Sequence, residues 1–252
     1  MVAEISDTIT LGKMVLRTLS EIPKYKYYIN YVKPPIRIAI LGESGVGKSA
    51  LLSMLLGEAY ETDSTRFNIF KTICLPNGRR IKFTDCPGQK SYRQERQKIK
   101  EKILRGKYHA IINVVCYVYN ETNSSKVKIF ESGTNTVKPS YLSENRKLEL
   151  GQLKEWIEDI SVRSKLRWVL TVINKADVWF DNLEEVVDYY QNGEYGNILA
   201  GIHQVCAHHI LPCCSIISPF GGQPMVLTMS EKIKRSLHES LLANIQDFIE
   251  NV

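Results

Sequence analysis

Residues 36–49, IRIAILGESGVGKS, constrain the fold of this chain more than any other stretch. A mostly apolar run leads directly into a glycine-rich loop that ends in Lys48 and Ser49, and an apolar helical segment follows. The spacing G-x-x-x-x-G-K-S between a strand and a helix is typical of a loop that cradles phosphate groups. Gly45 and Gly47 let successive backbone N–H groups turn toward an anion, and the helix N-terminus adds partial positive charge. A chance glycine turn is the alternative, but it does not account for the lysine and the serine.

Strand-like and helix-like segments alternate along the remaining chain, and this alternation favours an α/β fold. The patterns predict further strands at 66–75, 80–85, 110–118, 167–173 and 210–216. They predict helices at 49–57, 91–105 and 146–160, within 182–209, and from a capping-box pattern at 228–231 to the C-terminus. A long polar loop is expected at 119–145. We therefore expect a three-layer fold, in which a six-stranded, mostly parallel sheet carries helices on both faces. An N-terminal helical or extended arm over 1–35 would precede a single domain over 36–252.

Composition indicates a globular chain without a membrane span. Hydrophobic residues make up 44% and charged residues 24% of the 252 residues, which are ordinary values, and the net charge of +6 is mild. No apolar run reaches the roughly 18 residues that a transmembrane helix requires. The six cysteines lie largely in apolar segments, so we expect free thiols and a cytoplasmic location. A peripheral membrane contact through residues 1–33, of which only the second part is basic and tyrosine-rich, is the alternative.

A second candidate element, Asp85-Cys86-Pro87-Gly88-Gln89, follows the predicted strand at 80–85. Ligands of open α/β sheets bind at the carboxyl ends of the strands, and this end is where Asp85 is expected. The Asp85 carboxylate is suited to hold Mg²⁺ through water. The backbone N–H of Gly88 can approach a terminal phosphate because no side chain stands in the way. Such a D-x-x-G turn is weak evidence by itself, but it gains weight from its place after the phosphate loop.

A third element, Asn174-Lys175-Ala176-Asp177, comes directly after the strand at 167–173 and bears on the choice of base. A carboxylate at Asp177 can accept hydrogen bonds from the N1–H and N2–H₂ groups of guanine. Adenine lacks this pair of donors and would leave the carboxylate unpaired at a large cost. Asn174 can bond to the base and to the phosphate loop, and the stem of Lys175 can lie over the purine ring. The element therefore predicts a preference for guanine.

These three elements in this order resemble the motifs of Ras-like P-loop small GTPases, most closely the translation-factor-related class that includes the Era-like GTPases. The resemblance implies a G domain that binds GTP or GDP with Mg²⁺ and hydrolyses GTP slowly. It also implies a switch I threonine, for which Thr62 and Thr65 are candidates. The stretch STRFNI resembles the segment before the second strand of Era-like proteins and favours Thr65. The final motif before the last helix is degraded; it offers Ser215 and Ile216 as base contacts, or Ser218.

The resemblance assigns roles to individual residues. Gln89 would orient the attacking water, with Lys48 and Thr65 completing the catalytic set. Mg²⁺ would be held by Ser49, Thr65 and Asp85. The nucleotide would contact Gly42, Glu43, Ser44, Gly45, Val46, Gly47, Lys48, Ser49, Ala50, Gly88, Asn174, Lys175, Asp177, Ser215 and Ile216.

Partners and rival functions remain open at the level of sequence. A protein effector or activator at the switch loops, and a nucleotide-dependent homodimer, are both compatible with a switch. Residues 90–107 carry eight basic residues and two glutamates, which suit either an acidic partner or a solvated helix face. The histidines and cysteines between 203 and 214 suit a zinc site less well than a helix and a buried strand. An ATPase or P-loop kinase and a non-hydrolysing scaffold are the rival functions.

Overall fold

The protein is described by a computed structural model, which covers residues 34–59, 69–75, 79–88, 93–117, 119–120, 138–163, 166–201, 206–217 and 229–251. Its strands are β1 (Ile36–Leu41), β2 (Ile69–Cys74), β3 (Arg80–Asp85), β4 (Ala110–Val115), β5 (Trp168–Ile173) and β6 (Ala207–Pro212). Its helices are α1 (Lys48–Leu56), α2 (Arg93–Leu104), α3 (Pro139–Arg163), α4 (Ala176–Trp179), α5 (Leu183–Gln191), α6 (Glu194–Leu199) and α7 (Glu231–Asn251). The proposed arm at 1–33 lies outside the described residues.

The six strands form one sheet in the order β2-β3-β1-β4-β5-β6. β2 runs antiparallel to β3, and the other neighbouring strands pair in parallel. β5 is buried at every position, as expected for a strand that is covered on both faces. The prediction of a six-stranded, mostly parallel sheet in an α/β fold is confirmed.

Alternate residues of the strands supply two separate cores, one on each face of the sheet. One face packs Ile38, Ile112 and Leu170 against α1 and α7, and the indole of Trp168 stacks on Phe248 of α7 at a centroid distance of 4.7 Å. The opposite face packs residues such as Ile111 against α2, α3, α5 and α6. Two apolar interfaces of this kind fix the strand register, because a shift by one residue would exchange the faces.

Local sequence signals explain where several helices begin and end. α1 ends at Gly57, which adopts the left-handed φ of 64° at the C-cap, as the sequence predicts. α3 begins at Pro139, well before the predicted start at 146, because proline is favoured in a first turn, where its missing N–H is not needed. At α7 the predicted capping box begins two residues too early, at Thr228. The Ser230 hydroxyl accepts the hydrogen bond from the Ile233 N–H at 3.3 Å, so Ser230 is the cap.

Two predicted strand boundaries are also wrong. β4 ends at Val115 rather than 118, because Tyr117 adopts a left-handed φ of 47° and its N–H donates to the Tyr190 hydroxyl at 3.0 Å. β6 spans Ala207–Pro212 rather than 210–216, so Cys213 and Cys214 belong to the loop that follows it. Both corrections place loop residues at the carboxyl ends of the strands, next to the candidate site.

The structure also shows the state of the cysteines and the length of the helices. All six cysteines lie within the described residues and are free thiols. Among the described residues, no helix is both long and apolar enough to cross a bilayer.

Glu149 of α3 is an ionisable side chain in the core, where it is 3% exposed. Its Oε1 accepts a hydrogen bond from the Tyr190 hydroxyl at 2.7 Å, and its Oε2 has no hydrogen-bond partner among the described residues. Burial raises the pKa of Glu149 from 4.5 to about 7, against the opposing effects of the Tyr190 hydroxyl, the Cys116 amide and Arg146. The folded protein therefore holds this proton at pH values where the unfolded chain has released it.

We expect Glu149→Gln to change how stability depends on pH. A raised folded-state pKa means that the free energy of unfolding falls as pH rises from about 4.5 to about 7, by on the order of 3 kcal/mol. The amide cannot ionise, so the Tm of the variant should exceed that of the parent by roughly 5–10 °C at pH 8. The difference should shrink at pH 5.

Thermal unfolding between pH 5 and 8 measures this difference. Glu144→Gln is the matched control, because Glu144 lies exposed on the same helix. A Tm difference for Glu149→Gln that does not vary with pH would contradict the assignment.

Candidate functional site

Three loops meet at the carboxyl edge of the sheet, and they are the three elements singled out by the sequence. The glycine-rich loop follows β1, Asp85 ends β3, and Asn174 follows β5. β1 pairs in parallel with β3, with Ile40 opposite Asp85, so the first two elements lie side by side. This edge is where ligands of open α/β sheets bind.

The glycine-rich loop takes a backbone path that other residues would not allow. Gly42, Gly45 and Gly47 have φ values of 144°, 79° and 90°, all on the left-handed side. A Cβ on Gly42 would lie 2.3 Å from the Val114 carbonyl oxygen, and a Cβ on Gly47 would lie 2.4 Å from Asn174 Nδ2. The glycines therefore serve both backbone conformation and close packing against β4 and the loop after β5.

Lys48 is the charged residue at the centre of the loop, and its side chain is buried. Its ammonium donates to the Glu43 carbonyl oxygen at 2.7 Å across the turn. Burial lowers the pKa of Lys48, while the carboxylates of Asp85 and Glu43 act in the opposite direction. A buried ammonium among backbone groups at the start of α1 is a suitable binding site for an anion such as a phosphate.

Ser49 and Asp85 supply a matched pair of oxygen ligands. The Ser49 hydroxyl donates to Asp85 Oδ2 at 2.7 Å, and Asp85 is fully buried at the end of β3. A hydroxyl and a carboxylate are hard oxygen donors of the kind that Mg²⁺ prefers. The two side chains therefore fit a magnesium ion, which they would hold next to the phosphate loop.

Gly88 lies directly against the phosphate loop. A Cβ at this position would lie 2.5 Å from the Ser44 amide nitrogen and 2.6 Å from Lys48 Nζ. Any larger residue would push the two loops apart, so only glycine permits this approach. The contact places the turn after β3 within reach of whatever the loop binds.

Asn174 connects the third element to the phosphate loop. Its Nδ2 donates to the Val46 carbonyl oxygen at 3.0 Å. Its Oδ1 accepts from both the amide and the hydroxyl of Ser215 at 3.0 Å. One buried side chain thus holds together the loops after β1, β5 and β6.

Asp177 lies in the first turn of α4 and is 5% exposed. The Cys214 thiol donates to Asp177 Oδ1 at 3.4 Å. This contact joins the first turn of α4 to the loop after β6, in which Ser215 follows Cys214.

Some of the other predicted site residues lie in the described part of the chain, and the rest lie outside it. Lys175 has a left-handed φ of 59° and its ammonium donates to the Tyr119 carbonyl oxygen at 3.1 Å, while Ala50 is buried in α1. The Ile216 carbonyl accepts a hydrogen bond from the Cys214 thiol at 3.5 Å. The remaining predicted residues lie outside the described part of the chain: Thr62, Thr65, Gln89 and Ser218.

Sequence analysis missed two residues that support the site. Cys214 contacts Asp177, and the Tyr119 backbone holds Lys175. Cys214 occupies the degraded final motif, so its nearness to that motif was the available signal. No sequence signal pointed to Tyr119, because its contribution is a carbonyl oxygen.

Two histidines of β6, His208 and His209, lie within hydrogen-bond distance of side chains on other elements. His208 Nε2 lies 3.1 Å from the Thr171 hydroxyl, and His209 Nδ1 lies 3.3 Å from Asn244 Nδ2. Within the described ranges, no group of three or more His, Cys, Asp or Glu residues is arranged to hold a metal ion. His203 lies outside these ranges.

We expect Asn174→Ala to destabilise the protein even without a ligand. The change leaves the Val46 carbonyl and the Ser215 amide without their buried partner, which should cost roughly 2–4 kcal/mol of unfolding free energy. Urea denaturation measures this loss. Asn192→Ala, which removes an exposed amide that bonds to Asp188, should cost far less; equal losses for both variants would contradict the connecting role of Asn174.

Comparison of folds finds solved structures that are similar to this chain over most of its length. The mammalian SRP receptor aligns with a TM-score of 0.45 and 14% identity, over 71% of this chain and 91% of that one. The signal recognition particle receptor SRb-GTP/SRX complex from Chaetomium thermophilum gives the same TM-score and identity, over 74% and 93%. A search of curated protein sequences finds no match.

Comparison with family models identifies the domain itself. The model of the 50S ribosome-binding GTPases matches residues 37–175. This range is more than half of the chain and contains the phosphate loop, the turn at Asp85–Gly88 and Asn174. The chain therefore belongs to the family of 50S ribosome-binding GTPases.

Proposed function

We propose that this protein binds GTP and GDP with Mg²⁺, hydrolyses GTP slowly, and acts as a nucleotide-dependent switch. The observation that carries the proposal is the placement of Asp177. Its buried carboxylate lies in the first turn of α4, three residues after Asn174, whose side chain bonds directly to the phosphate loop. When the phosphates of a guanine nucleotide contact Lys48, the Asp177 carboxylate can accept hydrogen bonds from the N1–H and N2–H₂ groups of its base.

In this proposal, one set of residues binds the base and another set binds the phosphates and Mg²⁺. Asp177 recognises the base, and Lys175 covers the ring. Lys48 and the loop amides bind the phosphate oxygens, and Ser49 with Asp85 would hold Mg²⁺. The metal, when bound, neutralises charge on the phosphate oxygens during transfer. The Gly88 N–H approaches the terminal phosphate because Gly88 lies against the Ser44 amide.

The loops near Thr65 and Gly88 are the parts that would respond to the terminal phosphate. Gln89 follows Gly88 and orients the attacking water in this proposal, with Thr65 as a further magnesium ligand. A protein effector or activator would recognise these loops, and the basic residues 90–107 suit an acidic partner. We also propose, from the resemblance of the stretch STRFNI, that the chain is nearest the Era-like GTPases.

We expect nucleotide binding to discriminate strongly between guanine and adenine. A site built to hydrogen-bond N1–H and N2–H₂ should reject ATP relative to GTP by roughly 10⁴-fold, because Asp177 would be left unpaired. Titration calorimetry with Mg²⁺ measures both affinities. Comparable binding of ATP and GTP, or binding of neither, would overturn the proposed function.

Asp177→Asn is the matched variant for this test. An asparagine amide opposes the guanine donors but pairs with the N1–H and O2 groups of xanthine. The variant should lose affinity for GDP and gain affinity for xanthosine diphosphate. Loss of both ligands would indicate a folding defect, which circular dichroism of the same sample would reveal.

We expect Gln89→Leu to slow hydrolysis without preventing binding. Loss of the water-orienting amide should reduce the single-turnover rate on the order of a hundredfold. GTP affinity should change little, because the amide acts on the water. An unchanged rate would remove Gln89 from the mechanism, and GTP that stays intact in the parent protein would favour the non-hydrolysing scaffold.

A further inference from the structure

Arg96 lies in the first turn of α2, between two carboxylates from different parts of the fold. Its Nη1 is 3.9 Å from Glu43 Oε1 in the phosphate loop, and its Nη2 is 3.9 Å from Glu155 Oε2 in α3. The side chains of Arg96 and Glu43 are only 13% and 10% exposed, whereas that of Glu155 is 44% exposed. One guanidinium thus connects α2 to both the phosphate loop and α3.

Glu43 is an unexpected residue in a loop that binds anions. Its backbone carbonyl holds the Lys48 ammonium, and its side chain turns away toward Arg96. A carboxylate with so little exposure requires a compensating charge, because an unpaired buried charge is strongly destabilising. Arg96 supplies this charge from α2, so the phosphate loop and α2 depend on each other electrostatically.

The geometry leaves room for Arg96 to move between its partners. Both ion-pair distances exceed the range of a direct hydrogen bond. The Nε of Arg96 is buried and has no hydrogen-bond partner among the described residues. The guanidinium is therefore held by charge rather than locked by bidentate bonds, and small shifts of α2 can favour one carboxylate over the other.

The start of α2 is close to the phosphate contact. Gly88 lies against the Ser44 amide and the carbonyl carbon of Glu43, and α2 begins at Arg93, five residues later. A terminal phosphate that contacts Gly88 would therefore act only five residues before the start of α2. Arg96 lies in that turn, with its charge beside Glu43.

We infer that Arg96 is a positioning residue that couples the phosphate loop to α2 through Glu43, with Glu155 as its alternative partner. This inference rests on the proposed function. Paired with Glu43, Arg96 keeps α2, and with it Gly88, in place for a third phosphate. The coupling should therefore favour the nucleoside triphosphate over the diphosphate.

The test is the ratio of affinities for a non-hydrolysable GTP analogue and for GDP. Arg96→Gln should lower this preference for the analogue about tenfold, and Arg96→Lys should restore part of it because the charge is kept. Glu43→Gln should act in the same direction. The double variant should be no worse than Arg96→Gln alone, because both changes break the same contact.

Arg105→Gln is the matched control, since it removes an exposed guanidinium just after α2. It should leave the ratio unchanged. An equal loss of analogue and GDP binding in Arg96→Gln, or effects of Arg96→Gln and Glu43→Gln that simply add, would overturn the inference.

Hydrogen exchange of the α2 amides separates this inference from the proposed function. In nucleotide-free protein, Arg96→Gln and Glu43→Gln should both speed exchange in α2, and Arg105→Gln should not. If the parent protein binds no guanine nucleotide, the proposed function fails and this measurement alone decides the coupling. Unchanged exchange in both variants would then reject it.

Discussion

The hydrogen bonds of Asn174 are the interaction on which the rest of the site depends. Three loops from three different strands meet at one edge of the sheet, and a backbone hydrogen bond from the Ala176 N–H to the Cys213 carbonyl oxygen at 3.0 Å joins two of them. Asn174 uses its amide to bond to Val46 and its carbonyl to bond to Ser215. A buried side chain with donor and acceptor satisfied on opposite sides fixes a distance between the loops. In the proposed function, the loops held in this way contact the purine base and the phosphates.

Charge compensation is the second organising feature of the molecule. Lys48 is buried, and its neighbours Asp85 and Glu43 favour its charged form against the effect of burial. Glu43 in turn faces Arg96, and Glu149 is buried nearby without a full set of partners. Charges of both signs therefore alternate from the phosphate loop into α2 and α3.

Some boundaries of the fold could be predicted from short-range signals and others could not. Gly57 ends α1 as predicted, because only glycine adopts the left-handed C-cap without strain. The early end of β4 was missed, because the hydroxyl of Tyr190 captures the Tyr117 amide from a helix 73 positions away. The N-cap of α7 was predicted two residues too early, at Thr228 instead of Ser230. Both residues are suitable caps, and the sequence does not rank them.

The sequence by itself determined the chemistry of the site. The residues of the phosphate loop, Asp85 and the run from Asn174 to Asp177 are local patterns, and each implies its ligand through the atoms it carries. Only the tertiary structure decided which residues support them. Cys214 against Asp177, Tyr119 against Lys175 and Arg96 between Glu43 and Glu155 are contacts between distant segments. Such contacts form because the sheet brings the ends of loops together, and they cannot be predicted from the spacing of residues along the chain.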